Sequence, residues 1–191
     1  MKDKGHSLVE LIVAMAIFMT LAAIAAPTLR AYSVDAQLIG VARQFKQRFL
    51  LARSLAVRSG VETAIRFEVR SDATYYSVYE DRNFNGVLSI DIEHGVDTRV
   101  AGPFLLTNGA PDVRVGINSG VPAVPPQSGT LSTDDPIRFG RSNMISFSPM
   151  GTASPGSFYL AGVGQQAAVR VSPSTARVSV LICRGKTWRE R

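Results

Sequence analysis

The chain has 191 residues, with 21 basic and 15 acidic side chains for a formal charge of +6, two histidines and one cysteine. That length allows one soluble domain beside a membrane segment. A lone Cys183 excludes an internal disulfide, and its expected place is a buried strand end. His6 and His94 lie far apart with an apolar helix between them, so neither a catalytic triad nor a zinc site is in prospect, and no enzymatic arrangement stands out. Most cations are arginines: beyond the first five residues only Lys46 and Lys186 are lysines. Such diffuse charge favours solubility and weak contact with anionic polymers without specifying a partner.

Lys2 and Lys4 precede a stretch from Leu11 to Leu29 that carries no charge, and Arg30 closes it. As a helix this stretch measures about 28 Å, close to the ~30 Å hydrocarbon core of a bilayer. The lysines should keep the short end in the cytoplasm and send the rest outward. Glu10 is foreign to a plain anchor, because a carboxylate at the bilayer centre costs ~2.5–3.5 kcal/mol and needs a partner. Two ordinary readings compete. One is a secretory signal cut after Ala23-Ile24-Ala25; the other is a single-span anchor with Glu10 reaching the interface.

The run Gly5-His6-Ser7-Leu8-Val9-Glu10, the basic leader before it and Pro27 further on resemble the class III signal of type IV pilins and type II secretion pseudopilins. The resemblance implies cleavage by a prepilin peptidase between Gly5 and His6 and methylation of the new amine on His6. It also implies pairing of Glu10 with the amine of a neighbouring subunit. His6 departs from the pattern, which usually has phenylalanine there. The implied organisation is a leader at 1–5, a transmembrane assembly helix at 6–30 and a periplasmic domain at 31–191, anchored in the cell inner membrane.

Beyond Arg30 the helix should continue. Leu38, Val41, Phe45, Phe49, Ala52 and Ala56 recur at three- and four-residue steps, while Arg43, Lys46, Gln47, Arg53 and Arg58 fall on other faces. Ser59-Gly60 supplies the stop, and Pro27 is a possible kink. The period then changes to two. Thr63, Ile65, Phe67 and Val69 should face one way, with Tyr75 to Tyr79 as the hairpin partner. Further strands are expected at Arg99–Leu106, Val113–Ile117, Ile137–Phe139, Met144–Phe147, Phe158–Ala161, Ala167–Val171 and Arg177–Cys183. Between Asn118 and Pro136 a stretch rich in Gly, Pro and Ser reads as a mobile surface loop. The fold class is α+β: a pilin-like long helix, half membrane and half amphipathic, on antiparallel sheet.

Met144 to Ala153, containing Phe147-Ser148-Pro149-Met150-Gly151, and then Phe158-Tyr159-Leu160, resemble the GspH/FimT branch of minor pseudopilins and minor pilins. Pro149 and Gly151 suit a tight turn on physical grounds alone. The resemblance implies a structural subunit of a periplasmic filament, serving a type II secretion system or a type IV pilus alongside other pseudopilins or pilins. The alternative is a DNA-binding minor pilin for natural transformation. Members that bind DNA carry a Gly-Arg-x-Arg motif, which here reads Ala176-Arg177-Val178-Ser179.

Two more constellations carry possible chemistry. Asp81, Asn83, Asn85 and Gly86 match the start of a calcium loop, with Val87 offering a carbonyl. The acid that should close such a loop is replaced by Ile92, leaving Asp91 or Glu93 to complete the shell. The bland alternative is an Asx-rich turn bonding its own backbone. Near the C-terminus, Arg184, Lys186, Arg189 and Arg191 surround Trp188. Such a tail could grip nucleic acid through phosphates and a stacked base, or simply be solvated.

Overall fold

In the computed structural model, which describes residues 8–71 and 73–191, one helix organises the whole chain. Helix α1 spans Leu8–Ser59, 52 residues, or about 78 Å. Its backbone stays helical through position 27. Gly60 ends it in the left-handed region (φ 72°) and donates its N–H to the Ala56 carbonyl at 3.0 Å, a glycine C-terminal cap. The expected apolar stripe is realised: Leu38, Val41, Phe45, Phe49, Ala52 and Ala56 are all buried.

Two antiparallel sheets share that stripe. The first joins β3 (Thr98–Leu105), β2 (Thr74–Glu80), β1 (Thr63–Val69) and β6 (Met144–Phe147), in that order. The second runs β10 (Thr187–Glu190), β9 (Val178–Arg184), β8 (Gln165–Val171), β7 (Gly156–Ala161). Two short strands finish its far edge: β4 (Arg114–Val115) and β5 (Ile137–Arg138) each pair with a different part of β7. A short helix, α2 (Ser89–Glu93), follows β2. The arrangement is α+β and pilin-like, as expected.

Phe45 and Phe49 sit where helix and both sheets meet. The Phe45 ring lies 5.1 Å from Tyr76 of the first sheet and 5.0 Å from Phe158 of the second, edge-on to each. Phe67 stacks on Phe139 at 5.8 Å. Edge-to-face aromatic pairs each add roughly 0.5–1.5 kcal/mol beyond the area they bury, so this junction fastens both sheets to the helix.

Four local expectations change. Val69, the last residue of β1, is exposed. The β4 and β5 strands are shorter than their apolar runs suggest. The Asn118–Pro136 segment is not a bare surface loop: Val124 and Leu131 are buried with Ile117, Tyr159 and Ala168 on the outer face of the second sheet. The basic C-terminus is not a loose tail but an edge strand. Gly185 (φ 63°) opens a two-residue turn, and β10 pairs back on β9 from Arg184↔Thr187 to Leu181↔Glu190.

Candidate functional site

The first half of α1 has the length and composition to cross a bilayer over Leu8–Ala26, and none of this span is buried by the rest of the protein. Leu11, Ile17, Phe18 and Ile24 all stand exposed. An apolar surface of this extent is covered by lipid or by other helices. The Thr20 hydroxyl fits that setting by donating to the carbonyls of Ala16 and Ile17 (3.1 and 2.8 Å). Glu10 is exposed in the first turn, where its negative charge also suits the helix dipole. Gly5 and His6, the expected cleavage and methylation positions, lie outside the described residues.

The loop after β2 is closed by its own backbone. The Asp81 carboxylate is buried and accepts N–H groups from Asn83 (3.1 Å), Phe84 (2.8 Å) and Gly86 (2.8 Å). Asp97, also buried, accepts from Arg82 and Leu88, and Glu62 reaches in to accept from Val87. Asn83 and Asn85 donate their side-chain amides to Asp91 on α2. Of the expected calcium ligands, the fold therefore gathers Asp81, Asn83, Asn85 and Asp91. Glu93 points to another partner, Arg66, at 3.9 Å. Both oxygens of Asp81 are already committed to N–H donors, and among the described residues no group of three or more His, Cys, Asp or Glu is arranged to hold a metal ion. This donor set does not fit a calcium cage as it stands. The buried Asp97 and the half-buried Glu62 are what the sequence motif missed, because they come from outside the loop's own spacing.

At the C-terminal hairpin, alternation divides the expected contact residues between two faces. Arg184, Arg189 and Arg191, with Ile182 and Thr187, line one concave patch of about 280 Å³. Trp188 faces the other way, against the apolar cluster that holds Val124, and donates its indole N–H to the Pro122 carbonyl at 2.9 Å. It is thus tied down and not a free stacking ring. Arg184 pairs with Asp35 of α1 at 3.0 Å. Lys186 sits exposed at the turn. Ala176, where the DNA-binding motif has glycine, is in the left-handed region (φ 46°), and Ser179 donates its hydroxyl to Glu190.

A long helix that is bare and apolar in its first half and covered by sheet in its second defines a pilin-like subunit. Comparison with protein families gives two matches: the prokaryotic N-terminal methylation motif over residues 1–26, and the type II transport protein GspH over residues 41–175. The second covers well over half the chain, and the chain belongs to the GspH family. This is a family of structural pseudopilins, not of enzymes. The methylation motif implies processing by a prepilin peptidase, and the family implies other pseudopilins as companions. No curated protein matches the chain. No solved structure matches it either.

Proposed function

We propose that the protein is a minor pseudopilin of a type II secretion system or a minor pilin of a type IV pilus. It is made as a single-pass inner-membrane precursor, with its sheet domain in the periplasm, and is built into a short filament. The observation that carries this reading is the continuity of α1, uncovered over Leu8–Ala26 and core-forming from Val34 onward. On this reading the uncovered half is lipid-bound before assembly and helix-bound afterwards.

Cleavage after Gly5 frees the amine of His6, which is then methylated. The Glu10 carboxylate then orients a neighbouring subunit by pairing with its cationic amine in low dielectric. Mass spectrometry of membrane-extracted protein should find methylated His6 as the first residue. Glu10→Ala and Glu10→Gln should leave the domain folded yet exclude the subunit from filaments; normal incorporation of either variant would remove the assembly role.

A second reading, DNA binding for uptake, has one observation in its favour: three arginines share the concave patch beside α1. The tethered Trp188 speaks against base stacking. If six phosphates were neutralised, affinity would fall by about a thousandfold between low and physiological salt. Anisotropy with the full chain in detergent measures this, and micromolar binding that survives physiological salt would favour the second reading.

A further inference from the structure

Strand β7 runs down α1 towards the membrane span. The Phe158 ring rests on Phe45, and four residues later Gly162 lies against Leu38, one full heptad earlier on the helix. The β7–β8 turn, Gly162-Val163-Gly164, thus hangs from the membrane-proximal end of the second sheet. The β9–β10 turn, Gly185-Lys186, hangs beside it. Both are fastened at one level of α1: the Gln165 side-chain amide donates to Asp35, and Arg184 pairs with the other oxygen of the same carboxylate at 3.0 Å.

Asp35 comes about nine residues after Ala26, the end of the span, or roughly 14 Å along the axis. The polar headgroup layer takes up ~5–8 Å of that distance. The remainder is within a Debye length of about 8 Å at physiological salt, and the two turns project into it.

The groups on this rim suit a bilayer surface. Val163 is 72% exposed at one tip, and Lys186 is exposed at the other. Arg30 and Tyr32 occupy the intervening stretch of α1, with Tyr32 76% exposed. Arg114 joins the rim through β4, opposite Ala161, with its guanidinium held by Asn118. The Asp35 carboxylate is taken up by Arg184 and Gln165, and Asp112 lies on the approach to β4. Cations with an apolar tip and an interfacial tyrosine form the combination that favours anionic headgroups.

We propose that this rim is a docking surface for anionic phospholipid headgroups of the bilayer that holds α1, seating the domain on the membrane before assembly. The proposal rests on the transmembrane reading of Leu8–Ala26. Its test uses the full chain in lipid nanodiscs of phosphatidylcholine, with and without phosphatidylglycerol. In a Cys183→Ala background, an environment-sensitive fluorophore is placed at Val163→Cys, at Met19→Cys within the span, or at Met150→Cys. Met150 lies in the turn that Arg53 holds through Gly151, roughly 40 Å from the span.

In anionic discs the Val163 label should shift to the blue. Its bleaching by dithionite should slow by roughly fivefold or more, the effect of one basic side chain at an anionic surface. The Met150 label should not respond, and Arg30→Glu with Lys186→Glu should abolish the response. Hydrogen exchange on the unsubstituted chain should slow at residues 162–166 and 184–188 in anionic discs alone, which guards against a misfolded label background. Equal exposure of the Val163 and Met150 labels in both lipids would overturn the proposal. So would equal protection in neutral discs, or a response to duplex DNA but not to anionic lipid. A shielded Met19 label confines any such failure to the rim; a Met19 label that bleaches freely overturns the transmembrane reading along with it.

Discussion

Phe84 stands at the tip of the loop after β2 with φ 61° and 79% of its surface exposed. A bulky side chain in the left-handed region costs on the order of 1–3 kcal/mol, and here no burial offsets it. What holds it there is Asp81, whose buried carboxylate takes the N–H groups of Asn83, Phe84 and Gly86 and dictates the backbone between them. Asparagine tolerates this conformation without the added chain entropy of glycine. Phe84→Asn should therefore raise stability by about 1 kcal/mol, seen as a higher denaturation midpoint with an unchanged slope. A lower midpoint would mean that Phe84 makes a contact its exposure does not suggest.

At the scale of elements, β10 is held at its end by charge. Glu190 accepts a hydrogen bond from the Ser179 hydroxyl and another from Arg177 at 2.9 Å, and these keep its carboxyl below the ordinary carboxylate range. A depressed folded-state value means this contribution is complete above the ordinary range and is lost as pH falls through the folded value. Hydrogen exchange in β10, relative to β9, should accelerate only once the pH has fallen below the ordinary carboxylate range. Glu190→Gln should remove that pH dependence. The loop of Asp81 makes the opposite kind of prediction. Its acids already satisfy backbone donors, so millimolar calcium or a chelator should leave the melting temperature unchanged. An increase with calcium would show that Asp81 gives up its N–H partners to the ion.

These elements also mark where sequence was informative. The stripe from Leu38 to Ala56 was legible because a helix against a sheet repeats its apolar positions every three or four residues. The alternation of Thr63, Ile65 and Phe67 was equally plain. Strand β10 was not: only Trp188 among Thr187-Trp188-Arg189-Glu190 is apolar, and an edge strand of four residues looks like a charged tail until β9 is there to receive it. Val124 and Leu131 sit among prolines and serines with no period at all, and their burial depends on a sheet face assembled from residues far along the chain. At the candidate sites, the spacing of Asp81, Asn83 and Asn85 disclosed a turn. Asp97 and Glu62, which finish it, come from separate parts of the chain.

For the whole molecule, the unbroken run of α1 from span to core acts as a rigid shaft. The direction in which the sheet domain faces is therefore a matter of angular phase, set by the count of residues between Ala26 and Val34. Each residue added there turns the domain by about 100° and lifts it by ~1.5 Å. Seven added residues turn it nearly twice round, to within about 20° of its starting direction, while raising it ~10 Å. A single alanine inserted after Tyr32 should leave folding and membrane insertion intact but point the domain's surfaces at the wrong neighbours, stopping co-assembly. A helical seven-residue insertion should recover part of it, as co-purification with partner subunits would register. If both insertions assembled equally well, the shaft would have to contain a swivel. If neither did, height above the membrane would govern assembly as strictly as direction.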